Sequence, residues 1–79
     1  MENTLLTSFG SRLRELRQES GATQKAMAAY LGCTASNYQK MEYGEVNVPL
    51  TTLAALAQYF HVSSDYLLGL SDARECDPR

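Results

Sequence analysis

The chain has little of what most chemistry requires. Its 79 residues include no tryptophan, one histidine (His61) and two cysteines (Cys33 and Cys76). One histidine and no CxxC spacing supply no metal-ligand set. Two cysteines, one in a short turn and one in a polar tail, make no disulfide framework. His61 has no nucleophile or carboxylate spaced to work with it, so the chain reads as a non-enzyme needing no cofactor or small-molecule ligand. No apolar stretch approaches the ~20 residues that span a bilayer. The opening MENTLLTSFG carries an early acid and no basic region before its apolar residues, unlike a signal peptide; the expected location is the cytoplasm. No repeat, low-complexity tract or linker divides the chain, and its length suits one domain of modest stability.

Excess positive charge is also lacking. The net charge is −2, but residues 9–48 carry five bases (Arg12, Arg14, Arg17, Lys25, Lys40) against four acids (Glu15, Glu19, Glu42, Glu45). The bases gather in one half with a small surplus, which predicts weak non-specific affinity for nucleic acid.

What is present is concentrated in Thr23–Gly44, TQKAMAAYLGCTASNYQKMEYG. It reads as a helix, a tight turn at Gly32–Cys33–Thr34 and a second helix stopped by Gly44. Met27, Ala28, Leu31, Tyr38 and Met41 form the inner face. Thr34, Ser36, Asn37, Gln39 and Lys40 form a small, polar outer face that a purely structural helix pair does not need.

Three further helices flank this pair. Before it, Leu6, Phe9, Leu13 and Leu16 recur at helical spacing, with Thr4 or Thr7 as the cap and Gly21 as the stop. After the loop EVNV, Pro49 starts a fourth helix with an apolar stripe of Leu50, Leu53, Leu56, Ala57 and Phe60. Ser63 caps a short fifth helix with Tyr66, Leu67 and Leu68, and Gly69 ends it. The predicted domain is 1–70, followed by a polar, frayed tail at 71–79. No alternating run of strand length occurs, so the fold is expected to be all-α. Tyr38 belongs to the core, with its hydroxyl free to reach solvent or a phosphate. Tyr59, Phe60 and Tyr66 belong to the core or to a dimer surface.

The segments LRELRQESGATQ, MA at 27–28, LG at 31–32, MEYGEVNVP, LAALAQYF and SSDYLLG, in this order and spacing, resemble the lambda-repressor/Cro-like helix-turn-helix family, the xenobiotic-response-element type. The resemblance covers about residues 5–70. It implies a compact five-helix bundle that binds operator DNA as a homodimer. By position, it implies that Thr34, Ala35, Ser36, Asn37, Gln39 and Lys40 begin and line the recognition helix. Of these, Ala35, Ser36 and Lys40 face base edges and Thr34 lies near the groove wall. It implies that Gln24 touches phosphate and braces the recognition helix, and that Tyr43 and the loop Glu45–Val48 lie by the DNA backbone. It also implies that Arg17 and Glu42 bridge the first helix to the end of the recognition helix; the alternative is two solvated charges.

The residue chemistry is compatible with these roles. Lys40 can donate to guanine O6 or N7, Ser36 and Asn37 suit donor or acceptor edges, and the Ala35 and Thr34 methyls suit a thymine methyl. Lys25 and Lys40 also each read as ordinary solvated surface residues. The small side chains at Ala35 and Ser36 put weight on DNA shape. The expected function is a transcriptional regulator, a repressor binding double-stranded DNA as a homodimer on a two-fold operator. The alternative is a protein-interaction module, antitoxin- or anti-repressor-like, on the same fold.

Overall fold

In the computed structural model, which describes residues 4–74, every element is an α-helix. α1 spans Thr4–Ser20, α2 Gln24–Leu31, α3 Ala35–Tyr43, α4 Leu50–Phe60 and α5 Ser64–Leu68. The local sequence explains most boundaries. Thr23, Thr34 and Ser63 stand in extended backbone before α2, α3 and α5, and each side-chain oxygen accepts the amide three residues on (Ala26, Asn37 and Tyr66) at 3.0 Å. Each thereby satisfies an amide that the first helical turn leaves without a partner. Both candidate caps for α1 lie inside the helix, Thr4 as its first residue and Thr7 further in, because Leu6 and Phe9 extend the inward stripe past it.

α1 packs on α3 and α5, and its Phe9, Leu13 and Leu16 share one buried cluster with Tyr38 and Met41 of α3, Tyr66 and Leu67 of α5, and Met27 and Ala28 of α2. Its backbone approaches that of α3 closely at Gly10. A Cβ there would press on the Glu42 carbonyl and stand 2.7 Å from the Met41 oxygen. Gly44 packs the end of α3 onto α1 with φ +74°, and a Cβ there would lie 2.8 Å from the Thr7 Cα.

In the α4 stripe only Leu56 is fully buried; Leu53, Ala57 and Phe60 are half-buried and Leu50 is 80% exposed. Among the described helices α4 packs mainly on α5, with Tyr59 also against Tyr30 of α2. Within the described residues the tail is not frayed. The Ser63 amide donates to the Arg74 carbonyl at 2.7 Å, and Arg12 donates to the carbonyls of Tyr66 and Ser71 and to Asp72. Arg74 meets Glu19 through two 2.8 Å hydrogen bonds, and both guanidinium groups lie over the Tyr66 ring, at 4.4 and 5.2 Å from its centroid. Ser71–Arg74 is thus a strap across α1 and α5. The rest of the tail, including Cys76, lies outside the described residues. Cys33 is a free, half-buried thiol in the inter-helix turn.

Candidate nucleic-acid interface

The α2–α3 turn is set by two adjacent conformations. Gly32 ends α2 at φ +74°, letting the Gly32 and Cys33 amides fold back onto the Ala29 and Ala28 carbonyls at 3.2 and 3.0 Å. Thr34 then returns to extended backbone and caps α3. The chain reverses in three residues and fixes α3 across α2.

This geometry sorts the α3 side chains. Tyr38 and Met41 go inward; Thr34, Ala35, Ser36, Asn37, Gln39, Lys40 and Tyr43 are exposed. The outer face from 34 to 40 is therefore a row of short polar or methyl-bearing groups ending in one ammonium. Gln39 donates to the Tyr43 hydroxyl at 3.4 Å, stiffening the rim. Lys25 is exposed on α2, and Gln24 is half-buried beside it.

Behind the exposed face stands a buried ion pair. Arg17 Nε on α1 lies 2.5 Å from Glu42 Oε2 on α3, and Arg17 Nη2 lies 3.2 Å from Oε1. The Glu42 side chain has no exposure and that of Arg17 has 13%. Gln24 Nε2 adds a third donor to Glu42 Oε1 at 3.1 Å, and Arg17 Nη1 reaches the Ala22 carbonyl at 3.1 Å. One carboxylate thus joins α1, α2 and α3, and Gln24 braces α3 through it. Burial by itself would raise the Glu42 carboxyl; the Arg17 guanidinium, with Gln24, overcomes this and holds it below the usual carboxylate range. The same hydrogen-bonded pairing raises Arg17.

The Tyr38 hydroxyl does not reach solvent or a phosphate. It is buried near Arg17 and Glu42 without a hydrogen-bond partner among the described residues. Burial, then the neighbouring Glu42 carboxylate, pushes its ionisation upward.

Position along the chain did not single out Arg14. It lines a cleft of about 390 Å³ between α1, α2 and α3, together with Thr23, Gln24, Gln39 and Tyr43. Among the described residues Arg14, Lys25 and Lys40 make no hydrogen bond or ion pair, whereas Arg12, Arg17 and Arg74 are all paired. No group of His, Cys, Asp or Glu side chains among the described residues is arranged to hold a metal, and no described helix is long and apolar enough to cross a membrane.

Comparison with known proteins agrees with this architecture. A family model described as "Helix-turn-helix domain" matches residues 8–71. The chain is 42% identical over 60 residues to the SPbeta prophage-derived uncharacterized HTH-type transcriptional regulator YonR of Bacillus subtilis (strain 168), a match covering 76% of this chain and 56% of YonR. It is 40% identical over 62 residues to the HTH-type transcriptional regulator ImmR of the same organism, covering 78% of this chain and 49% of ImmR. The chain thus spans about half the length of these relatives. Among solved structures it is similar to the restriction-modification controller protein C.AhdI from Aeromonas hydrophila, with TM-score 0.70 and 35% identity over 78% of this chain and 94% of that one. From the inter-helix turn, the buried bridge and these matches together, the chain belongs to the lambda-repressor/Cro-like helix-turn-helix family.

Proposed function

We propose that this protein is a DNA-binding transcriptional regulator, a repressor that engages a two-fold operator as a homodimer. The observation that carries the reading is the exposed face of α3, Thr34–Lys40, held rigidly from behind by the Arg17–Glu42–Gln24 network. In this reading Lys40 donates to guanine, Ser36 and Asn37 meet mixed donor and acceptor edges, and the Ala35 and Thr34 methyls touch thymine. Gln24, Lys25, Gln39 and Tyr43 lie along the phosphate backbone. The names of the relatives, as transcriptional regulators and a controller protein, support the same role. The protein works in the cytoplasm, without catalysis, cofactor or small-molecule ligand.

A second copy is required because one reading face has few free cations and short side chains. The surface that would receive it is the outer side of α4. From Val46 to Ser64 the sequence contains no Asp, Glu, Lys or Arg. Leu50 protrudes beside a groove of about 570 Å³ lined by Leu53, Ala54, Ala57 and Val62. A knob and an apolar hole on one uncharged patch give the self-complementarity that a two-fold interface requires. Half-sites about 34 Å apart would then match the two recognition helices.

Selection of bound duplexes from random DNA tests the function, and the expected product is a pseudo-palindrome. Absence of saturable binding at low salt, with a stable protein complex recovered instead, would support the antitoxin- or anti-repressor-like alternative. Leu50→Glu tests the interface. Sedimentation should show self-association weakened by at least about tenfold, the effect of roughly 1.4 kcal/mol for charge placed in an apolar contact. An unchanged dimer would assign the interface elsewhere.

A further inference from the structure

We infer that Arg14, on α1 and outside the helix-turn-helix pair, is a phosphate-clamping residue; the inference rests on the DNA-binding reading above. It begins with the charge pattern. Among the described residues, each Lys and Arg side chain either has an acidic partner or belongs to the set Arg14, Lys25 and Lys40. Lys25 and Lys40 lie on the two helices of the reading unit. Arg14 shares their unpaired state although it comes from a different helix.

Its position accounts for this. Arg14 stands one turn before Arg17, so the two side chains leave the same side of α1. Arg17 goes beneath α3 to Glu42, and Arg14 lines the cleft whose other walls are Gln24 of α2 and Gln39 and Tyr43 of α3. The one carboxylate in this cleft, Glu42, is buried and already accepts hydrogen bonds from Arg17 and Gln24. It neither captures Arg14 nor confronts an incoming anion with an uncompensated charge. The other acids of the second half of α1, Glu15 and Glu19, are drawn to Arg74 on the strap side. What remains is an exposed guanidinium beside neutral side-chain donors, at the edge of the surface that presents α3.

A cleft with neutral donors and one free guanidinium suits a singly charged, multi-oxygen group. The planar fork of arginine matches two phosphate oxygens at once. A duplex lying along the outer face of α3 would bring a backbone phosphate past Gln39 and Tyr43 into this cleft. Arg14 would then set how α1 docks on the duplex without reading its sequence.

The test is a salt titration of binding with two DNA probes, a duplex recovered by selection from random sequence and a shuffled duplex of the same length. It is run on the unmodified chain, Arg14→Ala and Arg14→Lys. For Arg14→Ala the log–log slope of affinity against salt should become shallower by about 0.9 per protomer bound. Affinity should fall for both duplexes, the preference between them should stay the same, and the melting temperature should not move. Arg14→Lys should restore most of the slope. If the unmodified chain binds with a normal salt dependence and Arg14→Ala has the same slope, the inference fails and the DNA-binding reading stands. If Arg14→Ala changes the preference between duplexes, Arg14 reads bases and the phosphate assignment is overturned. If the unmodified chain shows no saturable binding to either duplex at low salt, both the reading and the inference fail.

Discussion

Glu42 concentrates more of the structure than any other single side chain described. It is fully buried, charged and held by donors from two other helices. Removing the Arg17 guanidinium would strand that carboxylate in the interior and release the Ala22 carbonyl. Arg17→Ala is expected to cost about 3 kcal/mol, a large part of the stability of a domain this small. Removing both partners with Arg17→Ala/Glu42→Ala should cost less than the two single losses added, and a cycle of denaturant midpoints measures the difference. The pH dependence follows from the direction of the Glu42 shift. Its folded value is depressed below the ordinary value near 4.5, so its stabilisation is complete above that value and is lost as pH falls through the lower folded value. In Arg17→Ala the burial cost acts without that guanidinium, and the deficit relative to the unmodified chain should shrink on acidification. Denaturant midpoints from pH 7 to pH 3 check both statements; a deficit independent of pH would mean that Glu42 is not the group responsible.

At the scale of elements, the helices were legible because their ends carry local chemistry. Thr23, Thr34 and Ser63 cap, and Gly32, Gly44 and Gly69 end helices in left-handed backbone, each directly beside the helix it bounds. The inward stripes of α1, α2 and α3 were legible for the same reason: apolar spacing is a local signal. Features requiring two distant elements were not. A glycine inside α1 reads as a weak point of a helix, yet Gly10 is where α1 meets the α3 backbone. Two effects compete in Gly10→Ala. Helix propensity favours alanine by about 1 kcal/mol. Separating two packed helices typically costs about 1–3 kcal/mol, and here the obstacle is backbone carbonyl rather than a flexible side chain. The clash should prevail, and thermal unfolding should show a lower melting temperature; a rise would mean that α1 and α3 have room to part. The α4 stripe was legible as a face, but how much of it is covered was not, because periodicity tells which residues share a face, not whether the bundle has a partner for it. Arg14 stayed silent because its meaning depends on which other cations are paired.

At the scale of the molecule, the paired charges among the described residues divide into two groups. One lies under α3, where Arg17 and Glu42 tie that helix to α1. The other lies along the strap, where Arg12 and Arg74 hold Ser71–Arg74 over Tyr66. The strap could not be read from its composition, since a short polar tail looks the same whether or not α1 offers acids at the right positions. Its ion pairs are exposed, and such contacts contribute little to stability. It should therefore open far more readily than the core unfolds. The Ser63 amide gives a direct way to watch this. Ser63 is the residue before α5, a position whose amide has no intrahelical partner, and the acceptor it uses is the Arg74 carbonyl at 2.7 Å. Its hydrogen exchange is therefore a clock for strap opening. It should run faster than exchange at core amides such as Leu13, quicken in Arg74→Ala while theirs holds steady, and report on the end of the described chain without any label being added.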